Sequence, residues 1–286
     1  KITYFENDIR DLDSVNKIFN KIKPDFIFHM AAQPIVSESY KDPLNTISSN
    51  VIGTTNVLES LRTLNFSCTC IIITSDKCYD NIESIWGYKE DDSLGGKDIY
   101  SASKGSAELV FNAFYESYFK DSSVPVKIAT GRAGNVIGGG DWAKDRIVVD
   151  CMRKWSNGDA VHIRNPYATR PWQHVLEPLS GYLLLAQRLS KNNEEYSEGW
   201  NFGPKDEDCK PVSWILDKMV TYWGNNASWS LDKNNNPHEA GFLKLDCSKA
   251  SNRLKWNPKW NLQFALKSIV DWHQLYSNGG DIKKQC

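Results

Sequence analysis

The chain has 286 residues, 41% of them hydrophobic and 24% charged, with a formal net charge of −1. That length supports one large domain or two smaller ones around a substantial core. The near-neutral balance argues against a nucleic-acid binder, which carries a strongly basic footprint, and no apolar run approaches the roughly 18 residues of a membrane span. In chain order, Ile2–Phe5 reads as a short strand, Leu12–Ile22 as a helix, and Asp25–Ala32 as a buried strand running into small residues. Asn45–Leu64 repeats apolar residues at 47, 51, 58 and 61, close to helical spacing. Thr69–Thr74 and Val126–Thr130 read as further apolar strands, with a helix over Tyr100–Tyr118 between them. Strands alternating with helices of this length predict βαβ units and a doubly wound parallel sheet, an α/β fold of Rossmann type. Near-continuous apolar strands agree, because such a sheet is covered on both faces.

The second half is more mixed. Val161–Arg164 and Trp200–Phe202 read as short strands, Leu176–Leu189, Val212–Trp223 and Phe264–Tyr276 as helices, and Asp232–Pro237 as a polar loop. The expected division is a nucleotide-binding α/β domain over residues 1–150 and a smaller, mainly ligand-binding unit over 151–286, with the chain crossing between them. Seven cysteines without a Cys-x-x-Cys pair indicate neither a zinc site nor a full disulfide set, and the scattered histidines suggest no metal. The N-terminal residues carry no apolar signal core. These features together predict a soluble, reduced, cytoplasmic protein. Eleven Trp and twelve Tyr fit an aromatic-rich core more readily than a stacking pocket.

Candidate chemistry begins at Tyr100-Ser-Ala-Ser-Lys104. Residues four apart share a helix face, and a nearby ammonium favours the phenolate, which makes a tyrosine a usable base. The spacing is common, so its context decides. The strand Ile71–Thr74 ends in Ser75-Asp76-Lys77, and in open parallel sheets ligands bind off the carboxyl ends of the strands. A hydroxyl, a carboxylate and an ammonium gathered there could serve as polariser, acid and base.

Asn7-Asp-Ile-Arg-Asp11, His29-Met-Ala-Ala-Gln33, Thr74-Ser-Asp-Lys77 and Tyr100-x-x-x-Lys104, in this order, resemble the extended short-chain dehydrogenase/reductase family that acts on sugar nucleotides. Arg132-Ala-Gly-Asn-Val-Ile-Gly-Gly-Gly-Asp-Trp142, Arg170-Pro-Trp-Gln-His174, Trp200-Asn-Phe-Gly-Pro204 and Pro237-His-Glu239 are similar to the dehydratase branch acting on CDP-linked glucose. The resemblance implies an NAD-dependent lyase in deoxysugar synthesis for a bacterial surface polysaccharide. Tyr100, assisted by Lys104 and Ser75, would take the proton of the sugar 4-hydroxyl. Lys77 would be the base at C5, and Asp76 the acid for the departing 6-hydroxyl. The Asp76-Lys77 pair disfavours a 4-epimerase; another dehydratase of the fold, or a non-catalytic sugar-nucleotide binder, stay as alternatives. By the same resemblance Asp8 and Ile9 would contact adenine, and Ala31, Ala32, Gln33 and Asn50 would line the cofactor. Asn135, Arg146 and Arg170 would hold the nucleotide end, Arg because its fork pairs with a diphosphate, while His174 is equally a ligand contact or a structural residue. Relatives are commonly homodimers, and the helices over 45–64 and 100–118 are the candidate interface.

One element of the family pattern is missing: the sequence contains no Gly-x-x-Gly-x-x-Gly, and Gly138-Gly-Gly140 follows a later strand. Such a turn supplies the backbone amides that bind the cofactor pyrophosphate. The expectation is therefore an N-terminally incomplete chain that starts at the third strand of the fold, with weak NAD binding and poor folding.

Overall fold

The structure, a computed structural model, describes every residue except 1, 122, 192, 225–226, 233–239 and 285–286. The first half comprises α1 (Leu12–Ile22), β1 (Phe26–His29), α2 (Val36–Lys41), α3 (Pro43–Ile47), α4 (Gly53–Arg62), β2 (Cys68–Ile73), α5 (Ile99–Phe114) and β3 (Val126–Ala133). There follow β4 (Val136–Ile137), α6 (Ile147–Ser156), β5 (Val161–Ile163), β6 (Thr169–Pro171), β7 (Gln173–His174) and α7 (Leu176–Lys191). The last elements are α8 (Asn193–Tyr196), β8 (Gly199–Phe202), β9 (Cys209–Pro211), α9 (Val212–Trp223), β10 (Trp229–Leu231) and α10 (Leu262–Ser277).

Local chemistry accounts for the helix starts. Asp11 caps α1 by accepting from the Ser14 amide, Asp42 caps α3 with Pro43 at the first helical position, and Asn261 caps α10 through the Phe264 amide. The helix expected over 45–64 is interrupted at Ser48–Ile52 by a π-helical turn between α3 and α4, a local widening common at functional sites.

The central sheet has four parallel strands in the order β1-β2-β3-β8, with Phe28 level with Ile71 and Ile71 level with Ala129. Successive side chains on a strand face opposite ways. Ile72 and Ile128 pack with Leu58, Leu61 and Phe111 on the α4–α5 side. Ile71 and Ala129 pack with Leu185, Leu189 and Trp200 on the α7 side. Helices thus cover both faces, as the apolar strands predict. A separate core joins α6, α9 and α10 through Met152, Trp155, Ile215, Met219 and Ile269.

Two sequence expectations change. Ile2–Phe5 is not a strand: it is irregular backbone with Ile2 and Tyr4 in solvent. A strand needs a hydrogen-bonding neighbour about 4.8 Å away, and these residues pair with none among those described. Trp200–Phe202 is a strand, but it completes the main sheet as β8 beside β3, so the chain returns there from the second half. The loop expected over 232–237 and the Pro237-His-Glu239 motif fall outside the described residues from 233 onward. Among the described residues, no helix is long and apolar enough to cross a membrane.

Candidate active site

The last rung of β2 is the Thr74 amide donating to the Gly131 carbonyl at 2.9 Å. Ser75 then continues extended and caps a single helical turn over Asp76–Cys78. Its Oγ accepts from the Lys77 amide at 3.2 Å and donates to Asp76 Oδ1 at 2.9 Å. Asp76 is 2% exposed, and its Oδ2 is buried without a hydrogen-bond partner. Gly134 lies against that oxygen so closely that a Cβ there would sit 2.0 Å from it. Burial pushes the Asp76 carboxyl up, while Lys77, the Ser75 hydrogen bond and Arg170 act downward. Lys77 itself is half-buried at the mouth of the turn.

Asp98 caps α5 by accepting from the amide and the hydroxyl of Ser101, at 2.9 and 2.6 Å. This fixes the first turn, from which Tyr100 and Lys104 project on one face, both buried. Burial pushes the Tyr100 phenol up to about 12; a hydrogen bond with Ser75 pulls it down, Asp76 raises it, and Arg146 lowers it. The sequence argument expects the ammonium of Lys104 to depress this phenol. In the structure desolvation outweighs every cation, and the downward pull comes from Ser75 and Arg146. The Lys104 charge falls instead on His29, which burial first and Lys104 second hold at about 4. Burial lowers Lys104 to about 8, opposed by Glu108 and Cys78. Ser75, Asp76 and Tyr100 therefore form one buried group, with Lys77 at its edge and Lys104 one turn below.

The carboxyl end of β1 opens onto the same side of the sheet. Ala31 is exposed and Ala32 half-buried, and neither carries bulk that would keep a flat ligand away. Asn50 lies in the π-helical turn and is almost wholly buried. Its Oδ1 accepts from the Gln33 amide at 2.7 Å, and its Nδ2 donates to the Gln33 carbonyl at 3.0 Å and to Ser103 Oγ at 2.9 Å. Asn50 thus ties the loop after β1 to α5 between Tyr100 and Lys104. The Gln33 side chain is spent locally, donating to Thr46 Oγ1 and accepting from the Ile35 amide. Asp8 is exposed and paired with Arg10, which holds its carboxyl below the ordinary value. Ile9 packs on Gly53, where a Cβ would meet its Cδ1 at 2.4 Å.

Asn135 follows Gly134 with φ at 38°, in the left-handed region, and such strain in a non-glycine residue clusters at functional sites. Its carbonyl accepts from the Gln173 amide at 3.3 Å. Arg146 precedes α6, lies 3.5 Å from Asp141, and its charge reaches Tyr100. Arg170 is buried, donates to the carbonyls of Thr169 and Ala240, and its charge reaches Asp76. His174 rests on the Trp260 ring, centroids 4.6 Å apart, and accepts at Nδ1 from the Leu176 amide at 3.3 Å. That bond leaves its proton on Nε2.

Sequence reading missed several residues that shape this group. Gly134 sets the room around Asp76. Tyr182 of α7 lies over Gly131 with its phenol near enough to feel the Asp76 charge. Glu108 and Arg132 form a buried ion pair at 2.8 Å directly beneath the strand ends. Glu108 carried a signal in its spacing, four residues after Lys104 on the same helix face, while Arg132 and Gly134 lay inside the Arg132–Trp142 run without a role read for them.

A buried acid beside a lysine, next to a tyrosine and a serine, can move protons at two neighbouring carbons of one ligand. The fold is that of solved enzymes of sugar nucleotides. UDP-glucose 4-epimerase of Thermotoga maritima superposes with a TM-score of 0.79 at 22% identity, covering 95% of this chain and 84% of that one. dTDP-glucose 4,6-dehydratase of Bacillus anthracis, solved with NAD, superposes at 0.75 and 18% identity, covering 98% and 82%. In sequence, the chain is 54% identical over 278 residues to CDP-glucose 4,6-dehydratase of Salmonella typhimurium, covering 96% of this chain and 77% of the relative. The family model for GDP-mannose 4,6 dehydratase matches residues 1–269. With a match over nearly its whole length, a close relative, and the sheet that the family resemblance implies, this chain belongs to the GDP-mannose 4,6 dehydratase family.

Proposed function

We propose that this protein is a lyase that converts CDP-glucose to CDP-4-dehydro-6-deoxyglucose, with NAD as its cofactor. The observation that carries the reaction type is Asp76: a carboxyl buried next to Lys77 and held on Ser75 beside Tyr100. A 4-epimerase needs no acid for a leaving hydroxyl, whereas a dehydratase does. The relative sharing 54% of its residues supports CDP-glucose as the substrate.

The residues present fit the nicotinamide half of a dinucleotide. Ala31 and Ala32 leave open space at the end of β1, Asn50 pins the adjoining loop to α5, and Tyr100 and Lys104 stand beside it. Asp8 and Ile9 would meet the adenine, with Gln33 and Asn50 between. NAD, when bound there, would supply the acceptor for the C4 hydride and the donor that restores it at C6. Tyr100 Oη takes the proton of the 4-hydroxyl, through the hydrogen bond with Ser75 that draws the phenol downward. A ketone at C4 acidifies the proton on C5, and the Lys77 amine removes that proton. Asp76 is kept toward its protonated form by burial and gives its proton to the 6-hydroxyl, which leaves as water. Lys77 then returns its proton to C5, and the proton on Tyr100 restores Asp76. One water is lost, and the chain ends with every proton it began with.

Arg146 and Arg170 would hold the diphosphate and Asn135 the sugar side of the nucleotide; His174 would offer Nε2–H to the ligand from beside Trp260. We assign cofactor binding to residues 1–150 and sugar-nucleotide binding mainly to 151–286. Exposed Leu44, Ile52, Leu109 and Tyr118 on α3, the turn after it, and the α5 region support a homodimer through these helices. The product suits deoxysugar synthesis for a surface polysaccharide in the cytoplasm. Incubating the protein with NAD and, separately, CDP-, dTDP-, GDP- and UDP-glucose, then weighing the products, tests the reading. Loss of one water from CDP-glucose is expected; loss only from another nucleotide sugar overturns the substrate.

A further inference from the structure

Glu108 lies one helical turn beyond Lys104 on α5 and is wholly buried. Its Oε1 accepts from Thr74 Oγ1, and its Oε2 accepts from Thr130 Oγ1 at 2.9 Å and Arg132 Nη2 at 2.8 Å. Thr74 immediately precedes Ser75, and Thr130 and Arg132 lie on β3 just before Gly134. Arg132 Nη1 also donates to Tyr79 Oη at 2.8 Å, and Tyr79 donates to Asn201 Oδ1 at 2.7 Å. One carboxylate therefore ties α5 to both strand ends from which the acid and its supporting glycine emerge.

Lys104, buried on the same helix face, makes no hydrogen bond or ion pair to any described residue. The groups facing it are Glu108 on its own helix, His29 from β1 and Cys78 from the turn after β2. On the helices packed against α5, Glu59 is matched with Arg62 on α4 and Glu38 with Lys41 on α2, while Asp76, on the helical turn after β2, is held by Ser75 and acts on Tyr100. Glu108 is thus the counter-charge available to Lys104, although it is shared with Arg132.

We propose that Glu108 is a positioning residue of the reaction: it clamps the ends of β2 and β3 to α5 and keeps Lys104 an ammonium beneath Tyr100. The proposal rests on the role given above to Tyr100 and Lys104. Its test does not need turnover. In protein carrying 13C at lysine Cε, the Lys104 signal is assigned by its loss in Lys104→Arg, and its titration midpoint reads the ammonium directly. The expected midpoint is near 8 in the natural protein. In Glu108→Gln, which keeps an acceptor for Thr74, the ammonium becomes at least about tenfold more acidic, a shift of about one pH unit. The alkaline fall of kcat with CDP-glucose moves by the same amount. A folded Glu108→Gln with an unmoved midpoint overturns the proposal, since a merely structural role lowers only the melting temperature. If that variant does not fold, the natural protein still decides: a midpoint below about 6, the range of buried lysines without a counter-charge, overturns it. A natural protein that turns over no CDP-glucose contradicts the proposed function, while the midpoint continues to judge Glu108.

Discussion

Gly134→Ala should disable the acid of the site without replacing any charged residue. The added Cβ would lie 2.0 Å from Asp76 Oδ2 and 2.5 Å from its Cγ, with Pro171 Cγ at 3.0 Å behind it. Ordinary contact requires about 3.4 Å, so the carboxyl must retreat by about 1 Å or more. It has little room: Asp76 is 2% exposed and its other oxygen is held by Ser75. Forced overpacking of this kind costs about 1–3 kcal/mol of stability, which leaves a folded protein. A misplacement of about 1 Å in a reacting group costs roughly 100-fold in rate. The variant should therefore lose about 100-fold in kcat for water loss from CDP-glucose, with KM nearly unchanged. Oxidation at C4 depends on Tyr100 and should survive, so reduced cofactor should build up during turnover and be visible by its absorbance. Turnover within threefold of the natural protein, in a variant with a cooperative melt, would refute the placement of Asp76 as the acid.

Tyr100→Phe should reduce turnover by about 10²–10⁴-fold and prevent even the build-up of reduced cofactor, as single-turnover absorbance would show. Lys77→Met should still oxidise C4 but lose uptake of solvent deuterium at C5, followed by NMR of the product; unchanged uptake would clear Lys77 of the role. His29 is buried against Thr54, 3.1 Å from its Oγ1, with its pKa held down at about 4. The unfolded chain binds a proton near 6.5 and the folded one only near 4, so stability rises with pH across that window. About 3 kcal/mol is lost on acidifying through it, and His29→Gln should flatten that part of the melting-temperature profile.

The fold was legible where the pattern was strong. The continuous apolar runs at 69–74 and 126–130 could only be strands covered on both faces, and they are β2 and β3. The failures have physical causes. Ile2–Phe5 has the composition of a strand, but a strand exists only by pairing, which composition does not record. The π-helical turn at Ser48–Ile52 left no mark in the apolar spacing on either side, yet it is what turns Asn50 inward. The Tyr100–Lys104 spacing pointed to a pair that the structure buries on one helix face near Ser75, but it misjudged the electrostatics, because helix spacing carries no information about desolvation. Gly134 and Arg132 act through contacts with residues more than twenty positions away, and a single sequence gives no means to see such pairs.

The most direct test of the central claim uses CDP-glucose carrying deuterium at C4, incubated with the protein and NAD in ordinary water. The account predicts a product one water lighter, a ketone at C4, and the deuterium in the new methyl group at C6. Deuterium retained at C4, or a product of unchanged mass, would contradict it.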